Sequence, residues 1–257
     1  MSKRSLALKR IHISPVGFEI DRIVEPAKMD NADLVYLISH DNLSTDKAKP
    51  YVKAIIKRLK SEEGIEAVEK RVNRMDLFEI IKVVKDIIFE HREEAQIFIN
   101  VASGSKIHAI GCMIACMMFD DNKNIVPFYA VPEKYQTFED LEQQTEGLDS
   151  VLPLPLYRIR TPDNELLEVL GIIKDMISKS RNGKITKKDL ANVLIDKKII
   201  ELKGDVLNHK MAQYTTLDKK IIKPLKDKWE FIDEEKVGRN RRIFFTQDGL
   251  DASKFLF

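Results

Sequence analysis

The chain has 257 residues, 44% of them hydrophobic and 33% charged, enough for two domains with well-solvated helices. No apolar run reaches the roughly 18 residues a membrane helix needs. The longest, Ile107–Phe119, is also too far from the N-terminus for a signal peptide, so a cytoplasmic protein without membrane attachment is expected. The formal charge of +2 is divided unevenly: 21 Lys+Arg against 25 Asp+Glu up to Ser150, a balance of −4, and 22 against 16 from Val151 onward, a balance of +6. That asymmetry points to a polyanion as partner of the C-terminal half.

Along the first half, strand and helix patterns alternate. Ile11–Pro15 is β-prone, and an amphipathic segment follows from about Phe18 to Lys28, its length limited by Pro26. Asp33–Ser39 reads as a buried strand, Asp46–Glu63 as a helix and Ala67–Val72 as a weaker strand. Leu77–His91 carries Ile80, Ile81, Val84, Ile87 and Ile88 at helical spacing. Gln96–Val101 is a further buried strand, Lys106–Phe119 a helix apolar almost all round, and Ile125–Val131 the final strand. Near-continuous apolar strands separated by helices predict a mostly parallel sheet covered on both faces, the α/β Rossmann-like class. The two cysteines, Cys112 and Cys116, share one face of the apolar helix and read as core filling; no metal site is expected.

In this class ligands bind beyond the carboxyl ends of the strands, where strand order reverses. Two loops are therefore singled out: Ser14, Pro15, Val16, Gly17 and Phe18 after the first strand, and Ala102, Ser103, Gly104, Ser105 and Lys106 after the fourth. The second has the chemistry of an anion site, with a glycine for close backbone approach, hydroxyls, a helix N-terminus and a lysine. The alternative is that Ser103 or Ser105 is only a helix cap and Gly104 only a turn residue. Neither a dinucleotide fingerprint nor a P-loop is present, and no cofactor is expected.

Prolines 153, 155 and 162 mark 151–162 as a linker between domains at 1–150 and 163–257, with Leu154–Arg160 as a possible last strand. Beyond it, Asn164–Ser180 and Lys187–Ile195 read as helices, the second capped by Thr186. A third helix, from about Asn208 to Lys228, places Met211, Tyr214, Leu217, Asp218, Ile221 and Leu225 on one side. His209, Gln213, Thr216, Lys219, Lys220, Lys223 and Lys226 lie on the other, a mixture suited to base edges and phosphates in a DNA major groove or to an ordinary solvated face. Trp229–Asp233, a turn over Glu234–Asn240 and a return strand Arg241–Thr246 complete a winged helix-turn-helix whose wing bears Arg239, Arg241 and Arg242.

The stretches Ile11–Glu19 and Asn100–Lys106, with the winged helix behind them, resemble archaeal CARF-domain winged helix-turn-helix regulators, a group that includes CRISPR-associated transcription factors. The resemblance spans nearly the whole chain. It implies a homodimer whose paired sensor domains bind a cyclic oligoadenylate, often cyclic tetra-adenylate, through Ser14, Gly17, Ser103, Gly104, Ser105 and Lys106, with double-stranded DNA as the partner of the winged helix. Some relatives are metal-independent ring nucleases that cleave that ring with hydroxyl and lysine residues of these loops, which makes Ser14, Ser105 and Lys106 the catalytic candidates. A regulator, a ring nuclease and a protein-interaction module are the three readings carried forward.

Overall fold

The computed structural model describes residues 8–42, 44, 46–61, 63–119, 124–136, 144–156, 160–200, 214–238 and 240–256. The chain divides into two compact units, 1–160 and 161–257. Among the described residues no helix is long and apolar enough to cross a membrane.

The first unit is Rossmann-like. Strands β1 (Lys9–Pro15), β2 (Leu34–His40), β3 (Glu66–Val72), β4 (Ala95–Asn100) and β5 (Ile125–Val131) alternate with helices α1 (Asp21–Met29), α2 (Lys49–Ser61), α3 (Leu77–His91) and α4 (Lys106–Met117). A short hairpin follows, β6 (Lys134–Tyr135) with β7 (Thr145–Glu146), then β8 (Ser150–Pro153). The sheet order is β3-β2-β1-β4-β5-β8, parallel except where β8 pairs antiparallel with β5. Central β2 is buried at five consecutive positions, as a strand covered on both faces requires. Edge strand β3 instead exposes Glu66 and Arg71, and its charges discourage further strand addition.

Two expectations are corrected here. Val151–Pro153, assigned to the linker, belongs to the sheet as β8, so β5 is not the last strand; of the strand expected at 154–160, residues 154–156 and 160 are not strand and 157–159 lie outside the described residues. Proline removes one N–H, which the end of an edge strand tolerates, and Leu154 N still donates to Pro127 O at 2.8 Å. Helix α1 runs through Pro26 to Met29, one residue beyond the expected end at Lys28. Proline cannot donate to the carbonyl of Arg22, and the side chain of Asn100 does so in its place, Nδ2 to O at 2.7 Å. The Asn100 Oδ1 accepts from Ala102 N at 2.8 Å, so one amide joins α1 to the loop after β4. Asn100→Ala strands both groups in the interior and is expected to cost about 2–4 kcal/mol, measured by chemical denaturation. An unchanged midpoint would show that α1 does not need this support.

The second unit contains α5 (Asn164–Ser178), β9 (Ile185–Thr186), α6 (Lys187–Asp196), a helix α7 over 214–228, β10 (Ile232–Val237), β11 (Asn240–Phe245) and α8 (Gln247–Ala252). Its sheet order is β10-β11-β9, with both pairings antiparallel. Leu166, Val169, Leu170, Ile173, Leu190, Leu194, Leu217, Ile221, Leu225, Ile232 and Ile243 form its core. Thr186 caps α6 by accepting from Asp189 N at 3.1 Å, as expected.

The wing strand begins later than the pattern indicated. Trp229 is the C-cap of α7, and Glu230, at φ 54°, turns the chain back. The expected turn over Glu234–Asn240 is strand as far as Val237, which faces Asn240 across a tight turn. The turn was expected to contain Gly238, but the two glutamates before it are paired within the strand: Lys184 meets Glu235 at 2.6 Å and Arg241 meets Glu234 at 3.2 Å.

Candidate functional site

The strand order reverses between β1 and β4, which places the loops at 14–18 and 102–106 side by side at the carboxyl edge of the sheet. They touch through their glycines. A Cβ on Gly17 would lie 3.0 Å from Gly104 N, and one on Gly104 would lie 2.7 Å from the Pro15 Cβ. Gly104 also has φ 80°, so the fold itself demands glycine there. Ser14 and Val16 are buried, whereas Gly104, Ser105 and Lys106 are exposed at the start of α4; Gly17, Phe18 and Ala102 are half-buried.

Ser105 is the N-cap of α4, in a capping box whose third position is His108. Its Oγ accepts from His108 N at 3.3 Å, and its backbone N–H donates to His108 Nδ1 at 3.2 Å. That donation requires a neutral imidazole with its proton on Nε2. Burial pushes the His108 pKa down to about 4, and the neighbouring Arg74 and His40 act in the same direction. His40 ends β2 and Arg74 follows β3. Sequence reasoning passed over all three residues. The available signal was Ser105-x-x-His108, a cap spacing with an unusual third member.

Three buried polar atoms at this edge have no hydrogen-bond partner among the described residues: Ser14 Oγ, Ser103 Oγ and His108 Nε2. An unsatisfied buried polar group costs about 1–3 kcal/mol. The capping alternative therefore accounts for Ser105 and the turn alternative for Gly104, while neither accounts for Ser14 or Ser103. Nearby, Arg22 is buried against Glu19 at 2.6 Å and donates through Nε to the carbonyl of Ala130 at 2.7 Å, which holds α1 over β5. Cys112 and Cys116 are buried and free, and burial pushes the Cys112 thiol up to about 12, so they fill the core as thiols. Among the described residues no cluster of three or more His, Cys, Asp or Glu is placed to hold a metal ion.

In the second unit, Lys219, Lys220 and Lys223 are exposed on α7 and Thr216 is half-buried. On β11, Arg241 is exposed beside Glu234, and Arg242 is half-buried at the position opposite Thr186. His209, Gln213 and Arg239 lie outside the described residues. Asp218, the polar residue on the apolar side of α7, accepts from Lys187 Nζ, and that ammonium also lies 3.5 Å from Glu234 Oε1. Lys187 was missed as a structural residue because it sits at the first position of α6, where a lysine reads as solvated.

Residues 10–135 match the family model HFX_2341_N-like, N-terminal, and residues 165–256 match the DUF6293 C-terminal winged helix domain. An uncharacterized protein of Methanocaldococcus jannaschii is 31% identical over 225 residues, covering 74% of this chain and 64% of the relative, so the chain spans a little under two thirds of that protein. Similar solved structures include Can2 from Sulfobacillus thermosulfidooxidans in complex with cyclic tetra-adenylate, at 15% identity and TM-score 0.40 over 95% of this chain and 63% of that one. Csm6 from Enterococcus italicus bound to cyclic hexa-2′-fluoro-hexa-dAMP matches at 16% identity and TM-score 0.41, over 75% of this chain and 56% of that one. The Rossmann-like first unit and the winged helix second unit are thus each matched by their own model, and the chain joins an HFX_2341_N-like, N-terminal domain to a DUF6293 C-terminal winged helix domain.

Proposed function

We propose that this protein is a ligand-responsive DNA-binding regulator. Its first unit receives a phosphate-bearing nucleotide at the crevice between β1 and β4, and its winged helix engages duplex DNA. The observation that carries the ligand reading is the pair of buried, unpartnered hydroxyls on Ser14 and Ser103, one on each side of the crevice, beside the exposed N-terminus of α4 with Lys106. Those groups suit a phosphate or ribose oxygen better than they suit the fold alone. The CARF resemblance makes cyclic tetra-adenylate the first ligand to try and a homodimer the expected binding form.

Binding of the full chain to a labelled duplex from its own upstream region is expected at low salt, with an affinity that falls steeply as salt rises. K219E/K220E is expected to abolish it, by at least tenfold in Kd. Binding that persists in this variant would favour the protein-interaction reading of the winged helix. Cyclic tetra-adenylate is expected to change the DNA affinity, because an effector shifts an equilibrium only through different affinity for its two states. Equal affinity with and without the ring would remove it as the effector. Recovery of the ring intact after incubation identifies a receptor, and linear products identify a ring nuclease acting through Ser14, Ser105 or Lys106.

A further inference from the structure

Helix α7 is not a regular α-helix. Asp218–Ile222 and Pro224–Lys228 are π-helical: Lys223 N bonds to Asp218 O and Trp229 N to Pro224 O, each five residues back. Pro224 opens the second of these turns, and the wider backbone gives its ring room that a preceding α-helical turn would deny. Residues sharing a face are three and four apart in an α-helix, and with bonds five residues back they become four and five apart. The buried side is compatible with that spacing: Ile221 and Ile222, four and five residues beyond Leu217, both join Leu217 and Leu225 in the core.

The same widening re-sorts the lysines. On an α-helical wheel Lys219, Lys223 and Lys226 share a face, and on the observed helix Lys228 takes the third place. Lys219, Lys220, Lys223 and Lys228 together line one open cavity of about 590 Å³, with Asp163 and Asp227 as its carboxylates. Asp163 is already engaged, capping α5 by accepting from Leu166 N at 2.9 Å. Lys228 Nζ lies 4.8 Å from the centre of the Trp229 ring, which holds its position. Lys226 lies on the far side, bonded to Asp233, in a second cavity that also includes Asp227, Glu230 and Asp248. A phosphate is attracted to the first side and repelled from the second.

We propose that the phosphate-contacting row of α7 is Lys219–Lys223–Lys228, so that Lys228, and not Lys226, completes the winged helix's contact with the backbone of duplex DNA. This rests on the reading that the winged helix binds DNA. The test is fluorescence anisotropy of the full chain with a labelled mixed-sequence duplex over a salt series, comparing the parent with K228Q, K228R and K226Q. Each phosphate contact contributes about 0.9 to the slope of log K against log salt. K228Q is expected to lower the slope by about that amount and weaken binding several-fold at low salt, K228R to keep it, and K226Q to leave it unchanged. Far-UV circular dichroism verifies that each variant is folded, since Trp229 emission would respond to loss of the Lys228 contact itself; should K228Q fail to fold, K228R against K226Q still decides, since loss of slope in K226Q alone overturns the assignment. A full slope in K228Q overturns it too while leaving DNA binding intact. No binding by the parent overturns the DNA reading and this assignment with it.

Discussion

Acidification from pH 6.5 to about 4 will destabilise the N-terminal unit by roughly 3 kcal/mol through His108 alone. In the unfolded chain this imidazole takes up a proton near pH 6.5, and in the folded chain burial defers that to about 4. A proton therefore binds the unfolded state more readily. The contribution of neutral His108 is fully present above pH 6.5, declines as the pH falls through this window and is constant below it. His12 acts in the same direction: burial lowers its pKa, opposed by Asp30, whose Oδ2 lies 3.1 Å from Nε2, and the ring stacks on Phe98. H108Q isolates the His108 part, because glutamine at the third position of a capping box keeps the reciprocal bond to Ser105 and cannot titrate. Hydrogen exchange of β4 and α4 amides at pH 7 and pH 4.5 provides the readout. A parent and an H108Q variant that lose protection equally would show that His108 is not the linked group. The same imidazole borders the crevice, so weaker ligand binding in acid would follow from disruption of that edge.

Lys187→Met is expected to destabilise the winged helix by about 3 kcal/mol. The Lys187 side chain is 11% exposed and that of Glu234 is 8% exposed, so removing the ammonium leaves a buried carboxylate with Arg241 at 3.2 Å as its remaining ion pair among the described residues. Asp218, at 37% exposure, keeps part of its hydration. The pairing joins the start of α6 to α7 and to the first wing strand, the three parts whose mutual placement a winged helix depends on. K187M/E234Q should recover most of the loss, because removing both buried charges is far less costly than removing one. Thermal unfolding followed by Trp229 emission reports on this unit. A double variant no more stable than K187M would mean the lysine acts through packing of its stem.

The alternation of buried strands with amphipathic helices is local, and it was legible for β2, α3, β4 and β5 to within one residue at each end. The two crevice loops were equally accessible, because a parallel sheet of this class has its ligand-facing loops after particular strands. Other features depended on partners distant in the chain. Pro26 reads only as a limit on the helix that contains it until Asn100 arrives from β4 to satisfy the Arg22 carbonyl. Val151–Pro153 reads as linker until β5 offers an edge.

The chain's own pattern determined the order of its elements, the Rossmann-like and winged helix units, and the chemistry of Ser103–Lys106, since periodicity, turn residues and charge are properties of neighbouring positions. Tertiary structure alone decided that Ser105 is held by His108 while the Ser14 and Ser103 hydroxyls have no partner among the described residues, that Lys187 lies between two carboxylates, and that α7 turns wide enough to exchange Lys226 for Lys228 on its basic face. Burial and hydrogen-bond pairing belong to the packed chain, and no window of sequence contains both partners.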